Sequence, residues 1–309
     1  MFVSRALEGP ALAPLLERHD VQMWPDDEPP TPAQLRRETA PCEGLLCTLS
    51  DRVDEQLLDA CPRLRAISNL AVGYDNVDVA AAAARGISVG HTPGVLTDAV
   101  ADLTFGLLIA AARRVLDGER AVRSGEWGAW KPNWMIGADV SGTTLGIVGY
   151  GAIGQAVARR AAGFDMRVVW TSSSGGLPLY ELLAQADHVS LHCPLTPATR
   201  GLIDARALRT MKRSATLVNT ARGAVVDSAA LRVALRDGEI AGAALDVADP
   251  EPLAPDDPLL DAPNLIVTPH IGSASVLTRR RMAELAVANL LAGLAGEALP
   301  HAVPTGAPA

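Results

Sequence analysis

The stretch Leu145–Arg160, LGIVGYGAIGQAVARR, decides how this chain folds. An apolar run ends in glycines at 149, 151 and 154 and opens into a helical pattern closed by Arg159 and Arg160. Apolar strand, Gly-x-Gly-x-x-Gly turn and amphipathic helix in that order form the context in which the glycine spacing is informative. Gly149 makes the tight turn, Gly151 lets a pyrophosphate approach the backbone, and Gly154 lets helix and strand pack closely. The N–H groups of Ala152 and Ile153, unpaired because they begin a helix, face the anion. The competing reading is a strand–helix turn that binds nothing.

The alternation continues on both sides. RVVWTS (167–172), HVSLHC (188–193), ATLVNT (215–220), AGAALDV (241–247) and LIVTPH (265–270) read as strands. They are almost wholly apolar, as strands covered on both faces are. Toward the N-terminus GLLCTL (44–49), LRAISNL (64–70) and ISVGH (87–91) alternate with helical patterns, one from Asp78 to Arg85 stopped by Gly86. A long apolar helix is expected from Leu96 to about Leu116, and a last helix from Ser275 to Ala292, before a Pro/Gly/Ala-rich tail that reads as a pendant. Strands alternating with helices predict α/β architecture with parallel sheets, and 309 residues favour two domains.

Composition excludes several classes. The net charge of −8 offers no basic face for nucleic acid. Arginine outnumbers lysine 25 to 2, which reads as genome composition. The apolar stretch 99–112 contains Asp102 and is too short to span a bilayer, so no membrane partner is expected. Cys42, Cys47, Cys61 and Cys193 show no metal-binding spacing, so no metal is expected. No signal peptide is expected, and reduced thiols in a cytoplasmic protein are the expectation.

The strand after the glycine motif ends in VVWTSSSGG (168–176). A dinucleotide site for NAD commonly places Asp or Glu there, against the ribose 2′-hydroxyl. Here Asp165 precedes the strand, and Ser172, Ser173 and Ser174 follow it. A carboxylate would repel a 2′-phosphate, whereas serines donate to one. The reading is NADP(H) as the preferred cofactor, with NAD(H) as the alternative and a plain flexible turn as the bland one.

Polar groups then stand at the ends of three successive strands: Arg222 in LVNTARG (217–223), Asp246 and Glu251 in LDVADPEPL (245–253), and His270 in TPHIGSA (268–274). Each has an ordinary explanation, respectively a solvated loop arginine, a surface Pro-Glu-Pro turn and a structural histidine. Together they fit one reaction, reduction of a small 2-oxo acid. That reaction needs a hydride at the carbonyl carbon, a proton on its oxygen and a cation for the carboxylate. A guanidinium suits the carboxylate. A histidine beside a carboxylate is biased toward its protonated form, which makes His270 the expected acid.

These motifs, with AVGYDNVD (71–78), GHTPGVLTDAVADLTFGLL (90–108) and CPLTPATRGLI (193–203), closely resemble the D-2-hydroxyacid dehydrogenase family, in particular its glyoxylate/hydroxypyruvate reductase branch. The resemblance covers most of the chain. It implies a catalytic triad of Arg222, Glu251 and His270, and substrate-carboxylate binding by the amides of Val72 and Gly73. Leu49 and Ser273 would shape the substrate pocket. Thr97 would touch the cofactor phosphates, Pro194 would pack near the adenosine, and Asp246 would hold the nicotinamide amide. Cys193, Thr220, Ala221 and Gly272 would lie on the cofactor side. The implied fold is two Rossmann-like domains with a cleft between them. A flavodoxin-like substrate domain would comprise 1–96 plus 283–309, and a doubly wound cofactor domain 97–282.

GEWGAWKPNWMIG (125–137) gathers Trp127, Trp130 and Trp134 beside Lys131; by resemblance it belongs to a homodimer contact and can reach the neighbouring active site. The bland reading is that these tryptophans pack on their own domain. Two departures stand out. Mammalian reductases carry an arginine where this chain has Ser173, and the segment between TSSSGG and LPLYELLAQAD is too short for a helix and strand seen in many relatives. Phosphoglycerate, formate and phosphite dehydrogenases, and NAD(H)-sensing corepressors of the same fold, are the alternatives.

Overall fold

A computed structural model describes residues 1–7 and 9–304. The chain divides into two units, 1–96 with 274–309 and 97–273.

The first unit begins with β1 (Phe2–Val3), α1 (Ala13–Leu16), β2 (Gln22–Met23), α2 (Pro32–Thr39), β3 (Gly44–Cys47), α3 (Glu55–Ala60), β4 (Ala66–Asn69), α4 (Val79–Ala84) and β5 (Ser88–Gly90). Side-chain caps fix where its helices start. Thr31 and Gln34 form a reciprocal capping box, and Asp54 and Asp78 accept from Leu57 and Ala81 N–H. Gly86, at φ +70°, ends α4 in a conformation glycine adopts without strain. The strands pair in parallel in the order β2-β1-β3-β4-β5, the flavodoxin-like order.

The second unit runs α5 (Thr97–Ala112), α6 (Val115–Arg123), β6 (Thr144–Val148), α7 (Ala152–Ala161), β7 (Arg167–Ser172), β8 (Gly175–Gly176), α8 (Leu179–Gln185), β9 (His188–Leu191), α9 (Ala205–Thr210), β10 (Thr216–Asn219), α10 (Ser228–Arg236), β11 (Gly242–Leu245) and β12 (Leu265–Val267). Its sheet order, β12-β11-β10-β9-β6-β7-β8, is doubly wound and reverses between β6 and β9. Ligands bind such sheets at the carboxyl ends of the strands beside that reversal, which is where the glycine turn sits. β6, β9, β10 and β11 are buried along their whole length, with separate apolar clusters on either face.

The final helix, α11 (Val276–Ala295), returns to the first unit and packs on β3, β4 and β5. Ser275 caps it, and Gly296 closes it at φ +76°. The unit boundary therefore lies at 273/274, before this helix, where the sequence reading cuts at 282/283, inside it. The following segment is no mere pendant: Ala302 bridges to Gly90, and Val303 is buried in the first unit's core. Residues 305–309 of the tail lie outside the described residues.

One more expectation needs correction. The long helix expected from Leu96 to Leu116 is two helices, broken at Arg114, which turns left-handed at φ 54°. The break follows from distant contacts: Ala138 N–H bonds to the Ala112 carbonyl, and the backbone of Gly137 packs on the same end. The sheet of the second unit is parallel as expected, with one short addition at its edge. β7 turns straight back into β8, a two-residue antiparallel strand, where a parallel strand would need a crossover. All four cysteines are free and buried. Among the described residues no helix is long and apolar enough to cross a membrane, and no cluster of His, Cys, Asp or Glu could hold a metal.

Candidate active site

The glycine turn follows β6. Gly149 has φ +94°, and a Cβ there would stand 2.4 Å from the backbone nitrogen of Cys193. A Cβ on Gly154 would stand 2.2 Å from the Gly149 carbonyl oxygen, so helix α7 meets the turn at contact distance. Gly151 is different, because nothing lies within 4 Å of where its Cβ would be. Two glycines are thus required by packing and one opens onto free space, leaving a cradle into which a pyrophosphate fits beside Ala152 and Ile153 at the start of α7. The residues present fit a dinucleotide.

Cys193 backs this turn. Its thiol is pushed up to about 11 by burial, so it is a wall and not a nucleophile. Pro194 offers its carbonyl to Thr199 Oγ1 at 2.6 Å, which orders the loop beyond β9. Thr97 is the first residue of α5, a helix that lies along α7 and is tied to it by Arg160 to Asp98 and Asp102.

At the end of β7, Ser172, Ser173 and Ser174 form the turn into β8. Ser172 Oγ lies 2.9 Å from Ser174 Oγ and accepts from Ser174 N–H at 3.2 Å, while Ser173 and Ser174 are exposed. Trp170 on β7 stacks on Tyr150 of the glycine turn at 4.6 Å between ring centroids, fixing the base of the hairpin.

Arg222 follows β10. The Asn219 side chain holds this turn closed, donating to the Arg222 carbonyl and accepting from Ala221 N–H. Thr220 Oγ1 meets the buried Thr104 Oγ1 of α5 at 3.0 Å. Gly223 has no role in the sequence reading beyond following Arg222, and proves decisive: a Cβ there would stand 2.0 Å from the carbonyl carbon and oxygen of Ala248. The Arg222 turn and the loop after β11 are therefore in backbone contact that only glycine permits. Ala248 N–H in turn donates to Glu251 Oε1 at 2.9 Å, and His270 Nδ1 meets Glu251 Oε2 at 2.9 Å. Burial works to raise the Glu251 carboxyl, but the His270 hydrogen bond and charge, the Ala248 N–H and the Arg222 guanidinium outweigh it and hold the group below its ordinary value. Arg222, Glu251 and His270 thus stand at the ends of three neighbouring strands, linked through one short chain of contacts.

His270 itself has φ 55°, left-handed and uncommon outside glycine. Asp246 explains how it is held. This carboxylate is 1% exposed and accepts from Thr268 Oγ1 (2.6 Å), Ile271 N–H (2.8 Å) and Gly272 N–H (2.7 Å), while its own carbonyl accepts from His270 N–H (2.9 Å). Asp246 thus gathers the whole loop around the histidine, a role the sequence reading does not contain. Gly272 packs between the Asp246 carboxylate and Val100 of α5, and Ser273 ends the unit.

In the first unit, Leu49 follows β3 and is half-buried, and Val72 and Gly73 follow β4. Among the described residues the amides of Val72 and Gly73 have no protein acceptor. Asn76 Nδ2 donates to the carbonyls of Thr48 and Asp51, joining the turns after β3 and β4. Trp127 and Trp130 are exposed, Trp130 at 83%, with Val115, Leu116, Val122 and Ile136 exposed on the same segment. Trp134 is half-buried under Lys131.

Residues 105–272 match the family described as D-isomer specific 2-hydroxyacid dehydrogenase, NAD binding domain. A glyoxylate reductase of Korarchaeum cryptofilum is 47% identical over 98% of this chain and 95% of its own. The crystal structure of TT0316 protein from Thermus thermophilus superposes with a TM-score of 0.91 at 50% identity, covering 98% of this chain and 99% of that one. An NADPH-dependent glyoxylate/hydroxypyruvate reductase of Sinorhizobium meliloti, solved with NADP and malonate, gives a TM-score of 0.84 at 33% identity over 98% and 95% of the two chains.

Proposed function

Because the chain belongs to the D-isomer specific 2-hydroxyacid dehydrogenase family, we propose that it reduces a small 2-oxo acid, glyoxylate or hydroxypyruvate, to the 2-hydroxy acid, with NADP(H) preferred over NAD(H). The observation that carries the reading is the His270–Glu251 pair, joined at 2.9 Å beside Arg222 on the sheet that presents the glycine cradle.

The nicotinamide supplies the hydride when the cofactor is bound; the chain supplies everything else. Gly149, Gly151, Ala152, Ile153 and Gly154 receive the pyrophosphate, with Thr97 as a further phosphate contact. Cys193, Pro194, Thr220, Ala221 and Gly272 line the cofactor, and Ser172, Ser173 and Ser174 meet the adenosine ribose. Arg222 draws the substrate carbonyl and carboxylate by charge and by its forked donors. The amides of Val72 and Gly73 receive the carboxylate, and Leu49 and Ser273 bound the pocket. His270 spends Nδ1 on Glu251, which leaves Nε2 as the atom that passes a proton to the carbonyl oxygen. Asp246, besides gathering its loop, keeps an Oδ2 lone pair for the nicotinamide amide.

Glyoxylate and hydroxypyruvate are small and polar, and the glyoxylate and glyoxylate/hydroxypyruvate reductases among the relatives support them. A ribose-end turn without a carboxylate supports NADP(H). The exposed apolar segment 115–136 supports a homodimer, and the buried free thiols fit a cytoplasmic protein. The test is oxidation of NADPH and NADH with glyoxylate, hydroxypyruvate and pyruvate, alongside sedimentation at micromolar protein. Turnover of glyoxylate or hydroxypyruvate with NADPH is expected. Cofactor binding without turnover of any oxo acid would leave a dinucleotide-binding protein of another kind, and a monomer would remove the dimer.

A further inference from the structure

The two amides assigned to the substrate carboxylate belong to consecutive peptides, and in a trans peptide the carbonyl and the N–H point in opposite directions. Fixing the carbonyl therefore aims the N–H. The Ala71 carbonyl, on the peptide that carries Val72 N–H, accepts from Thr92 N–H at 2.9 Å. The Val72 carbonyl, on the peptide that carries Gly73 N–H, lies 2.8 Å from His91 Nδ1. Residues 91 and 92, just beyond β5, thus draw both carbonyls to one side, so both N–H groups face the other. Successive N–H groups aimed alike make an anion-binding concavity. The next carbonyl is fixed as well, since Asn69 Nδ2 donates to Gly73 O at 2.9 Å.

The clamp is itself braced. The His91 carbonyl accepts from Asn289 Nδ2 at 2.8 Å, His91 N–H donates to the His301 carbonyl, and His301 N–H returns to Asn289 Oδ1. The Tyr74 ring stands edge-on to the imidazole at 5.5 Å, so the loop grips the ring it is held by. Because a carbonyl only accepts, Nδ1 carries the hydrogen. Burial lowers the His91 pKa, which favours a neutral ring with the proton on Nδ1.

We propose that His91 is a positioning residue for substrate binding, orienting the Val72–Gly73 peptide so that the Gly73 N–H receives the 2-oxo acid carboxylate. The inference rests on the reading that these amides bind the carboxylate. An asparagine Nδ2 occupies the same place on its side chain as histidine Nδ1, one bond beyond Cγ, so His91→Asn keeps a donor and His91→Phe removes it while keeping a ring. In the full-length protein, His91→Phe should raise the KM for glyoxylate about tenfold with kcat, NADPH dissociation constant and Tm little changed, the signature of lost ground-state binding. His91→Asn should restore most of the affinity. An unchanged KM in His91→Phe, or a joint fall of KM performance, NADPH binding and Tm that His91→Asn does not rescue, would overturn the proposal. Wild-type protein that turns over no oxo acid would instead overturn the reading beneath it, so the two failures are told apart by the wild-type assay.

Discussion

The loop after β12 and the hairpin after β7 leave the same sheet at the carboxyl ends of its parallel strands, yet they are built in opposite ways. Around His270 a buried carboxylate collects two amides and a hydroxyl, and its own carbonyl takes a third amide. Around Ser173 its two neighbours, Ser172 and Ser174, bond mainly to each other. Proton transfer needs an atom held to within about 0.5 Å, so the first loop is fixed from below by groups that do no chemistry. Choosing between a ribose hydroxyl and a phosphate needs only the right charge and donors at the rim, so the second carries almost no supporting structure. On the proposed function, proton transfer and cofactor choice are thus assigned to two strand ends of very different rigidity.

The sharpest way to break this contrast is at the histidine. His270→Ala should lower kcat by roughly 10²–10⁴-fold, the usual worth of a positioned acid, while the NADPH dissociation constant from fluorescence titration stays nearly constant. Retained turnover would mean that the ordered loop serves folding and not proton transfer. Next comes Asp246→Ala, which leaves the buried Gly272 amide and the half-buried Ile271 amide without an acceptor, at about 1–3 kcal/mol for the buried one. A fall in Tm should accompany a fall in kcat of about 10²-fold, because misplacing an acid by about 1 Å costs that much. A Tm loss with intact kcat would show that His270 keeps its place without Asp246.

These two predictions also mark how much the residues disclosed on their own. The glycine spacing, the nearly apolar strands and the polar groups at Arg222, Glu251 and His270 are local patterns, and each sits where the sequence places it. Asp246 was legible as a strand-end carboxylate, but its four contacts come from residues 22 to 26 positions away that fold around it. Gly223 looks like any loop glycine until Ala248 is seen against it. The break at Arg114 has no glycine or proline to announce it, since residues 137 and 138 impose it from across a loop. What escaped the sequence is long-range and made by backbone atoms, which side-chain identity does not encode.

Glu251 gives a milder test of the rigid side. Its pKa is lowered in the folded protein, so it contributes stability that is fully present above its ordinary value of 4.5 and is lost as pH falls through the lower folded value. Glu251→Gln should therefore lower Tm at neutral pH, and the gap to wild type should close on acidification below that window. kcat should fall about tenfold, since His270 keeps a hydrogen-bond partner but loses the carboxylate that fixes its ring through Nδ1. A Tm gap that does not depend on pH would mean that the pair is not charged.

The hairpin predicts the smallest disturbance and the most selective one. Ser173 is exposed, and its side chain makes no hydrogen bond among the described residues. Substitution there should leave Tm within the span of about 0.5 kcal/mol typical of surface changes. Ser173→Arg adds a forked cation at the ribose end, and should raise kcat/KM for NADPH over NADH by about tenfold without altering the KM for glyoxylate. Ser173→Asp should move the ratio the other way, because a carboxylate repels the 2′-phosphate and accepts from the 2′-hydroxyl. If either change instead lowers Tm or alters glyoxylate turnover with both cofactors, the hairpin is coupled to the His270 loop, and the carboxyl end of the sheet is built as one rigid piece and not as two parts of unequal freedom.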